Sequence, residues 1–376
     1  MKFYRILFLM LGMSVGIGAN AQDPNFYVFL CFGQSNMEGQ GSIQSQDDMD
    51  DYRFQVLQAV DCSNLGRTKD TWYPAQPPLC RCYNGLGPAD YFGRTLIENL
   101  PEHIRVGVIN VAIGGSRIEI FDKDIYENYT DDYTEDWFQN AVASYDGNPY
   151  QHLVNLAQRG KAAGVIKGIL LHQGESNSGQ SSWPGKVKTV YDNLMADLEL
   201  DPTEVPILAG EVVHTDVDGQ LGAMNSIIGQ LPNEIENAHI VSSSGIPHNG
   251  DRIHFSTEGI RELGTRYGET MLQLLGDPGE PLNVDKSFDK EGYYLSPSFP
   301  NPVEGVGTLS FHIPKSGHVS LKLYDMAGVE VREILASEIT AGSHEIELDT
   351  KSLSTGFYLL KMQAETFSSS QKIMVK

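Results

Sequence analysis

Short runs of apolar and β-branched residues alternate with longer amphipathic segments up to about residue 275. The runs predict β-strands at Phe26–Phe32, Arg105–Val111, Ile166–Leu171, Val205–Ala209 and His239–Val241. The amphipathic segments predict helices at Ala89–Asn99, Tyr150–Ala163, Lys186–Leu198, Gly219–Gln230 and Glu258–Leu275. Strands that alternate with helices form parallel sheets, and strands that are apolar throughout are covered on both faces. The pattern therefore predicts a three-layer α/β/α domain with a five-stranded parallel sheet.

The pattern changes in the last hundred residues. Gly276–Pro281 is rich in Gly and Pro, as is typical of a linker. Apolar and polar residues then alternate, as in Val319–Tyr324 and Gly356–Met362, and turn residues recur every few positions. Alternation without a helical period predicts a small antiparallel β-sandwich. We therefore expect an α/β domain over residues 22–276, a linker over 277–292 and a β-sandwich over 293–376.

The first 21 residues have the pattern of a secretory signal. Lys2 and Arg5 precede the apolar run Ile6–Met13, and Ala19–Ala21 supplies the small residues of a cleavage site. The alternative is a membrane anchor, but the apolar run is too short to cross ~30 Å of hydrocarbon at ~1.5 Å per residue. The sequence predicts a mature chain that begins at Gln22, has no transmembrane segment, and is secreted or attached to the cell surface.

Composition and charge narrow the classes of partner. The chain has 376 residues, 40% hydrophobic and 20% charged, which are ordinary values for a globular protein. Its 49 acidic and 27 basic residues give a net charge of −22. Nucleic acids and anionic membranes are bound by basic surfaces, so this charge argues against both as partners.

The four cysteines suggest one disulfide and no metal site. Cys31 lies within the first apolar run, so we expect a buried free thiol. Cys62, Cys80 and Cys82 are clustered, and Cys62 could pair with either of the others in an exported protein. Zinc sites need ligand pairs at set spacings, which Cys80 and Cys82 alone do not supply.

A serine directly follows the first predicted strand. The carboxyl end of a parallel strand is where open α/β sheets place ligands, and Ser35 stands there between Gly33 and Gly39. The flanking glycines let a substrate approach the backbone. Ser35 and Glu38 also match the S-x-x-E capping box, so the serine could instead serve only to begin a helix. Ser35 is therefore a candidate nucleophile with a structural alternative.

A general base for such a serine is present in the loop after the last predicted strand. Asp251 and His254 are three residues apart, and a helical or 3₁₀ turn would bring the carboxylate to the imidazole. Serine, imidazole and carboxylate are the groups that acyl transfer requires. One alternative is a surface loop whose histidine caps the next helix. Another is a metal site with His248, for which no further ligand set stands out.

Two more segments follow predicted strands and could donate hydrogen bonds to an oxyanion. Gly114 and Gly115 would expose backbone N–H groups after the second strand. Gln173 offers a side-chain amide after the third, and Glu175 is expected to be a buried orienting group. Each segment alone also fits an ordinary strand-to-helix turn. Four such clusters at the ends of four strands favour a functional site.

Together these clusters resemble four sequence blocks of the SGNH-hydrolase superfamily. More narrowly, they are similar to carbohydrate esterase family 6 and its sialate O-acetylesterase-like relatives, over about Tyr27 to Leu275. The blocks are Gly33-Gln34-Ser35-Asn36-Met37, Gly114-Gly115-Ser116, His172-Gln173-Gly174-Glu175-Ser176 and Asp251-Arg252-Ile253-His254. The combination is specific where each block alone is not.

The resemblance implies a role for each matching residue. Ser35 would be the nucleophile, His254 the base and Asp251 the group that orients it. The Ser35 amide, the Gly115 amide and the Gln173 side chain would form the oxyanion hole. The supporting residues would be Gln34, Asn36 and Glu175. The asparagine block of the broader superfamily is absent, Gln173 stands in for it as in the narrower family, and no metal or organic cofactor is implied.

The tail resembles a type IX secretion sorting domain of the Bacteroidetes kind over about Tyr293 to Lys376. The residues that carry this similarity are Ser298–Pro302, Leu323–Gly328, Leu353–Tyr358 and Lys372–Lys376. The resemblance implies export across the outer membrane by the type IX machinery, with removal of the tail. A carbohydrate-binding module, which is also a β-sandwich, is the alternative.

These observations lead to one functional hypothesis. The chain is expected to be a secreted serine esterase that removes O-acetyl groups from a polysaccharide or oligosaccharide, with acetylated xylan as the expected substrate. One alternative is deacetylation of sialic acid or another glycan, and a second is a non-catalytic surface glycan-binding protein. The segment Asp47–Cys82, with Trp72 and Tyr73, is a candidate for lining the sugar site, although the sequence does not place it. The segment Asp131–Trp137 is similarly uninformative.

Overall fold

The computed structural model describes residues 22–49, 51–275, 293–295, 303, 305–325, 329–365 and 367–375. These residues fall into two compact units, one before and one after the predicted linker. The predicted signal segment, residues 1–21, and the predicted linker, residues 277–292, lie outside the described residues. The domain boundaries drawn from the sequence stay predictions.

A seven-stranded sheet forms the centre of the first unit. In chain order its strands are β1 (Phe26–Gly33), β2 (Phe54–Leu57), β3 (Trp72–Pro74), β4 (Arg105–Ala112), β5 (Val165–His172), β6 (Ile207–Gly210) and β7 (Ala238–Val241). The spatial order is β3-β2-β4-β1-β5-β6-β7. All neighbours are parallel except β3, which is antiparallel to β2. Every residue of β1 is buried, as its unbroken apolar sequence predicts.

The predicted three-layer α/β fold is confirmed, but the sheet has seven strands rather than five. All five predicted strands are present, and each lies within two residues of its expected limits. The two additional strands, β2 and β3, extend one edge of the sheet and have only four and three residues. Segments this short carry too little periodicity to be separated from loops by sequence alone.

The helices of the first unit are α1 (Ser35–Glu38), α2 (Pro88–Asn99), α3 (Tyr126–Asp131), α4 (Asp136–Ser144), α5 (Pro149–Ala163), α6 (Trp183–Asp197), α7 (Asn225–Ile228) and α8 (Thr257–Leu275). Successive residues of β1 show that helices cover both faces, because neighbouring side chains of a strand point to opposite sides. Val28 faces Gly160 of α5, whereas the ring of Phe29 packs on Phe92 of α2, 4.9 Å between centroids. In the described part of the chain, every helix is too short or too polar to span a membrane.

The predicted helix at Gly219–Gln230 is the element that the structure corrects. The segment forms a 3₁₀ turn at Gly222–Met224 and then only the four-residue α7. The Asn225 side chain accepts from the N–H of Val212 at 2.9 Å and donates to its carbonyl at 3.1 Å. Side-chain bonds to a neighbouring strand end compete with a longer helix.

The second unit is an antiparallel β-sandwich, as predicted. Its strands are β8 (Tyr294–Leu295), β9 (Val306–Ile313), β10 (Gly317–Asp325), β11 (Glu330–Ile339), β12 (Gly342–Asp349), β13 (Gly356–Ala364) and β14 (Phe367–Val375). One sheet has the order β11-β10-β13-β14 and the other β12-β9-β8. Val319, Leu321 and Leu323 are buried while Ser320 and Lys322 between them are partly exposed, so the alternation that predicted the sandwich builds its core.

A buried ion pair fastens the segment after α1 to α8. Both carboxylate oxygens of Asp47 accept hydrogen bonds from Arg261 at 2.9 Å, and the Asp47 side chain has no exposed surface. Burial works to raise the pKa of Asp47, but hydrogen bonds from Arg261, the Gln44 backbone and the Tyr91 hydroxyl hold that pKa below its ordinary value. The ion pair therefore fixes two segments that adjoin the carboxyl edge of the sheet.

We expect Asp47→Asn to lower the free energy of unfolding by about 3 kcal/mol, because the Arg261 guanidinium would keep its charge without a buried counterion. Urea unfolding at pH 7, followed by circular dichroism, measures the change. Asp48→Asn removes a neighbouring exposed carboxylate and should change stability by less than about 0.5 kcal/mol. Equal stability of the two variants would contradict the importance of the buried pair.

Candidate active site

The turn that carries Ser35 is set by the end of β1. Gly33 has φ +151°, and a Cβ atom there would lie 2.1 Å from the carbonyl oxygen of His172, so a larger residue does not fit. The N–H of Gln34 donates to the same carbonyl at 3.0 Å, which passes the chain over the end of β5. Ser35 follows at the carboxyl edge of the sheet.

The capping-box alternative for Ser35 is wrong. Ser35 is the first residue within α1, Gln34 is the N-cap, and no side chain caps the helix. Glu38, the other residue of the motif, is paired with Arg81 instead. The Ser35 hydroxyl is therefore available for another partner.

That partner is the imidazole of His254. The Ser35 Oγ atom lies 2.9 Å from His254 Nε2, and His254 Nδ1 lies 2.6 Å from Asp251 Oδ2. The other carboxylate oxygen accepts from the backbone N–H groups of Ile253 and His254, both at 2.8 Å. The structure thus brings the three residues predicted from separate parts of the sequence into one hydrogen-bonded chain. His254 does not cap α8, since Ser256 accepts from Gly259 there.

Asp251 supplies the negative charge in this series of hydrogen-bonded side chains. Burial works to raise the pKa of Asp251, but the backbone N–H of His254, its imidazole and the N–H of Ile253 together lower that pKa to about 2. The carboxylate is therefore ionised at neutral pH. An ionised acceptor on Nδ1 keeps the hydrogen of a neutral imidazole on that nitrogen and leaves Nε2 free to accept from Ser35.

The amide of Asn36 joins the two halves of the site. This side chain is fully buried. Its nitrogen donates to Glu175 at 2.7 Å and to the carbonyl of Ile253 at 3.2 Å, and its oxygen accepts from the N–H of Phe255 at 3.2 Å. Asn36 therefore holds the loop of Asp251 and His254 against the turn that carries Ser35.

Glu175 is buried, as expected, and is reached through Asn36. Burial works to raise the pKa of Glu175, but His172, the backbone N–H of Glu175 itself and the Asn36 amide outweigh it, so that pKa lies below its ordinary value. The nearer His172 nitrogen is 3.5 Å from the carboxylate. A buried ionised acceptor fixes the orientation of the Asn36 amide.

The backbone N–H groups of the residues around Ser35 bear on the predicted oxyanion hole. In the described part of the chain, the N–H groups of Ser35 and Gly115 have no protein acceptor. Gly114 packs closely, since a Cβ atom there would lie 3.6 Å from that of Ser35. The Ser176 hydroxyl donates to the Gly115 carbonyl at 2.9 Å and so helps to orient the Gly115 peptide, whose φ is +70°. Unpaired N–H groups in this position are suited to bind an anion.

The side-chain amide of Gln173 is already engaged. Its nitrogen lies 3.1 Å from the Gln34 side-chain oxygen, 3.3 Å from the Ser116 carbonyl and 2.6 Å from the Asn177 oxygen, and its own oxygen accepts from Trp183. A primary amide has two N–H hydrogens, so these three acceptors compete for them. Gln173 could serve an oxyanion only by releasing acceptors, and its predicted role stays a prediction. Gln34 also accepts from the N–H of Ser176 at 3.1 Å, which links α1 to the turn after β5.

The pairing of cysteines, left open by the sequence, is Cys62 with Cys82, whose Cα atoms are 5.2 Å apart. Cys31 is free and buried, as predicted, and Cys80 is also free and buried. Arg81 lies between Cys80 and Cys82 and pairs with Glu38, one turn beyond Ser35. Sequence reasoning missed Arg81, and the clustered cysteines were the only signal of its position.

The two aromatic candidates for a sugar site are structural. Trp72 packs edge-to-face on Phe26, with centroids 4.8 Å apart, at the opposite end of β1 from Ser35. The Tyr73 hydroxyl accepts from the N–H of Thr68 at 2.9 Å and orders its own loop. His248 accepts from the N–H of Gly250 at 2.9 Å. Among the described residues, no group of three or more His, Cys, Asp or Glu side chains is arranged to hold a metal ion.

The mostly parallel sheet and the site at its carboxyl edge define an α/β protein whose candidate reactive residues come from the segments that follow the strands. Residues 25–273 match the family described as carbohydrate esterase, sialic acid-specific acetylesterase. Since this match covers more than half of the sequence, the chain belongs to that family. Residues 298–376 match the secretion system C-terminal sorting domain, which confirms the similarity seen in the tail and indicates secretion by the type IX route.

Individual relatives are distant. A probable carbohydrate esterase of Arabidopsis thaliana is 23% identical over 265 residues, which cover 66% of this chain and 91% of that protein. A solved structure of an Arabidopsis thaliana protein has a TM-score of 0.50 and 21% identity, and the match covers 67% of this chain and 99% of that one. The crystal structure of NanS has a TM-score of 0.50 and 18% identity, with 67% and 98% covered. At these identities the structural matches show the fold alone.

We expect the carboxyl group of Asp251 to titrate near pH 2, as read from its side-chain carbon resonance by NMR. This pKa is below the ~3.9 of an unfolded aspartate. The ionised carboxylate therefore contributes to stability fully above about pH 3.9, and this contribution is lost as the pH falls toward 2. His254→Ala removes the imidazole but keeps the backbone donors, so it should raise the midpoint only part of the way to 3.9. A wild-type midpoint near 4 would contradict the hydrogen-bonded arrangement.

Proposed function

We propose that this chain is a secreted serine esterase that removes O-acetyl groups from carbohydrate, with acetylated xylan as the expected substrate. The observation that carries the proposal is the hydrogen-bonded chain from Ser35 through His254 to Asp251 at the carboxyl edge of the sheet. Membership of a carbohydrate esterase family supports the same reaction class. This hydrogen-bonded arrangement of three side chains argues against a protein that only binds sugar, because binding alone does not require an oriented imidazole beside a serine.

In the first half of the reaction, the Ser35 Oγ atom attacks the acetyl carbonyl carbon and His254 Nε2 takes the hydroxyl proton. The carbonyl oxygen gains negative charge as the tetrahedral intermediate forms. The N–H groups of Ser35 and Gly115 stabilise that charge, with Gln173 as a third donor if its amide turns away from its present acceptors. Asp251 stabilises the imidazolium and holds its tautomer.

In the second half, the bond from carbon to the sugar oxygen breaks, and that oxygen takes the proton from His254. A water molecule then gives a proton to His254 and attacks the acetyl group on Ser35. Collapse of the second tetrahedral intermediate releases acetate and returns the proton to Ser35. Each step uses groups of this chain that lie within hydrogen-bond distance of one another.

Sialic acid is the second candidate for the sugar, because the family description names sialic acid-specific acetylesterases. Acetate release from acetylated xylan, measured beside acetate release from O-acetylated sialosides, separates the two. Acetylated xylan carries its ester on a polymer of neutral sugars, whereas a sialoside carries a carboxylate. The choice between them depends on groups that contact the alcohol portion of the ester.

The C-terminal sandwich supports a proposal for export. Its match to a secretion sorting domain fits passage across the outer membrane by the type IX machinery, followed by removal of the tail. The predicted signal over residues 1–21 would direct the preceding step across the inner membrane. The enzyme would then act outside the cell, released or attached at the surface, where plant polysaccharide is available.

We expect Ser35→Ala to lower the turnover of a chromogenic acetate ester by about 10³–10⁴-fold, because the attacking oxygen is removed. Circular dichroism should show an unchanged fold. Ser63→Ala changes an exposed serine and should leave turnover unchanged. Activity of the Ser35 variant close to that of the wild type would refute the assignment.

We expect Asp251→Asn to lower kcat by about 10³–10⁴-fold with little effect on KM, because an amide would favour the wrong imidazole tautomer. Steady-state kinetics on the same ester measure both constants. Asp48→Asn serves as the matched control, since that carboxylate is exposed. A loss confined to KM would contradict an orienting role for Asp251.

A further inference from the structure

Trp137 is a large apolar side chain that the fold leaves in water. It lies near the start of α4 and is 56% exposed, whereas Trp183 is fully buried and Trp72 packs on Phe26. The sequence has only these three tryptophans. Single exposed hydrophobic residues are common at protein surfaces, so what points to an interaction is the position of this indole near Ser35 together with its exposure.

The position of Trp137 relative to Ser35 follows from two glycines. A Cβ atom placed on Gly115 would lie 3.1 Å from Cη2 of Trp137 and 4.0 Å from Cζ2. A Cβ atom placed on Gly114 would lie 3.6 Å from that of Ser35. The benzene edge of the indole therefore borders Gly115, which directly follows the glycine that packs against Ser35. Gly115 is exposed and Ser35 is 6% exposed, so the indole lies at the surface close to the reactive residue.

The indole is held from beneath by other aromatic rings. It packs edge-to-face on Phe138, with centroids 5.6 Å apart at 86°, and Phe138 is fully buried. Phe138 packs in turn on Tyr133 at 4.8 Å and on Tyr129 at 6.1 Å. The Tyr129 hydroxyl accepts from the N–H of Arg117 at 2.8 Å, which ties this cluster to the loop that follows Gly115. The indole thus has a buried aromatic support on one side and solvent on the other.

A rigid, exposed aromatic ring beside an ester-cleaving site suits one part of the substrate. During the proposed reaction the acetyl group is attached at Ser35, so the part of the ester that can extend to a neighbouring side chain is its alcohol portion. The alcohol portion, a sugar, presents C–H groups that can pack on an aromatic surface while its hydroxyl groups stay in water. Fixed aromatic side chains give contact area at low cost in conformational entropy.

We propose that Trp137 forms a sugar-binding subsite, in which a sugar ring of the departing alcohol packs on the indole next to Gly115. This inference rests on the proposed esterase function and specifies which part of the substrate is bound. The subsite binds the sugar before and during reaction alike, so it lowers KM for carbohydrate esters and leaves kcat nearly unchanged. An acetate ester without a sugar gains nothing from it.

The test compares Trp137→Ala with the wild type on two substrates, vinyl acetate and acetylated xylo-oligosaccharides, with acetate release followed at constant pH. O-Acetylated sialosides replace the xylo-oligosaccharides if the wild type prefers them. We expect KM for the carbohydrate ester to rise about tenfold, with kcat and vinyl acetate turnover within about twofold of wild type. Trp137→Phe keeps an aromatic surface and should recover most of the affinity.

Tyr52→Ala is the matched control, because Tyr52 is 69% exposed but lies far from Ser35. It precedes β2 at the amino ends of the parallel strands, whereas Ser35 lies at their carboxyl ends. This variant should behave as the wild type on both substrates. An unchanged KM of Trp137→Ala for the carbohydrate ester would overturn the proposal. An equal loss on vinyl acetate would also overturn it, because Trp137 would then act through Gly115 and not through a sugar.

A binding measurement separates failure of the subsite from failure of the esterase function. Calorimetric titration of the Ser35→Ala variant with acetylated xylo-oligosaccharides and with O-acetylated sialosides measures binding without turnover. For the ligand that binds more tightly, we expect the double variant with Trp137→Ala to have a Kd about tenfold higher. If the wild type hydrolyses no ester but this tenfold change is found, the subsite holds and the esterase proposal fails. If the Kd is the same in both variants, or neither binds, the subsite fails whatever the enzyme hydrolyses.

Discussion

The contact between the Ser35 hydroxyl and the His254 imidazole joins residues that are 219 positions apart, and much of the first unit serves to fix it. Two hydrogen-bonded partners must be held within a few tenths of an ångström, although one lies on a strand-to-helix turn and the other in a loop. The buried Asn36 amide bonds to backbone groups on both sides of His254, at Ile253 and Phe255. Among the described residues, the Asn36 amide is the buried side chain that joins the Ser35 turn to the backbone of the His254 loop.

The site is also a place where backbone approaches backbone. Gly33 lies so close to the His172 carbonyl that a Cβ atom would overlap it, and Gly114 leaves only the space that Ser35 and Glu38 need. These glycines lower local stability because a glycine loses more conformational freedom on folding than any other residue does. The Asn36 amide offsets this by joining the Ser35 turn to the segment after β5 through its buried, charge-assisted bond to Glu175. The ion pair of Asp47 with Arg261 joins a neighbouring segment to α8. Close backbone contacts at glycines and buried polar bonds between segments therefore occur together around this site.

The central strands and the candidate reacting groups could be predicted from the sequence, because both have strong local signals. β1 is apolar along its whole length, and Ser35, Asp251 and His254 are chemically distinctive residues that directly follow strands or share a short loop. The strands β2 and β3, at one side of the sheet, were missed because they have only four and three residues. The helix expected at Gly219–Gln230 is shorter because tertiary bonds such as those of Asn225 decide the conformation there. Long-range pairing of this sort leaves no periodic trace along the chain.

The same reasoning explains why Trp137 could not be recognised from sequence while Ser35 could. A nucleophile must follow a strand end, so its position in the chain predicts its position in the fold. A side chain that contacts the sugar has no such constraint, and Asp131–Trp137 belongs to the connection between β4 and β5, whose helices α3 and α4 carry no reacting group. On the proposed function, reaction chemistry is fixed by strand ends and substrate preference by this connection. A change at Trp137 would then alter the binding of the sugar while Ser35 and His254 stay in place, because a connection can vary on a scaffold that positions the reacting groups.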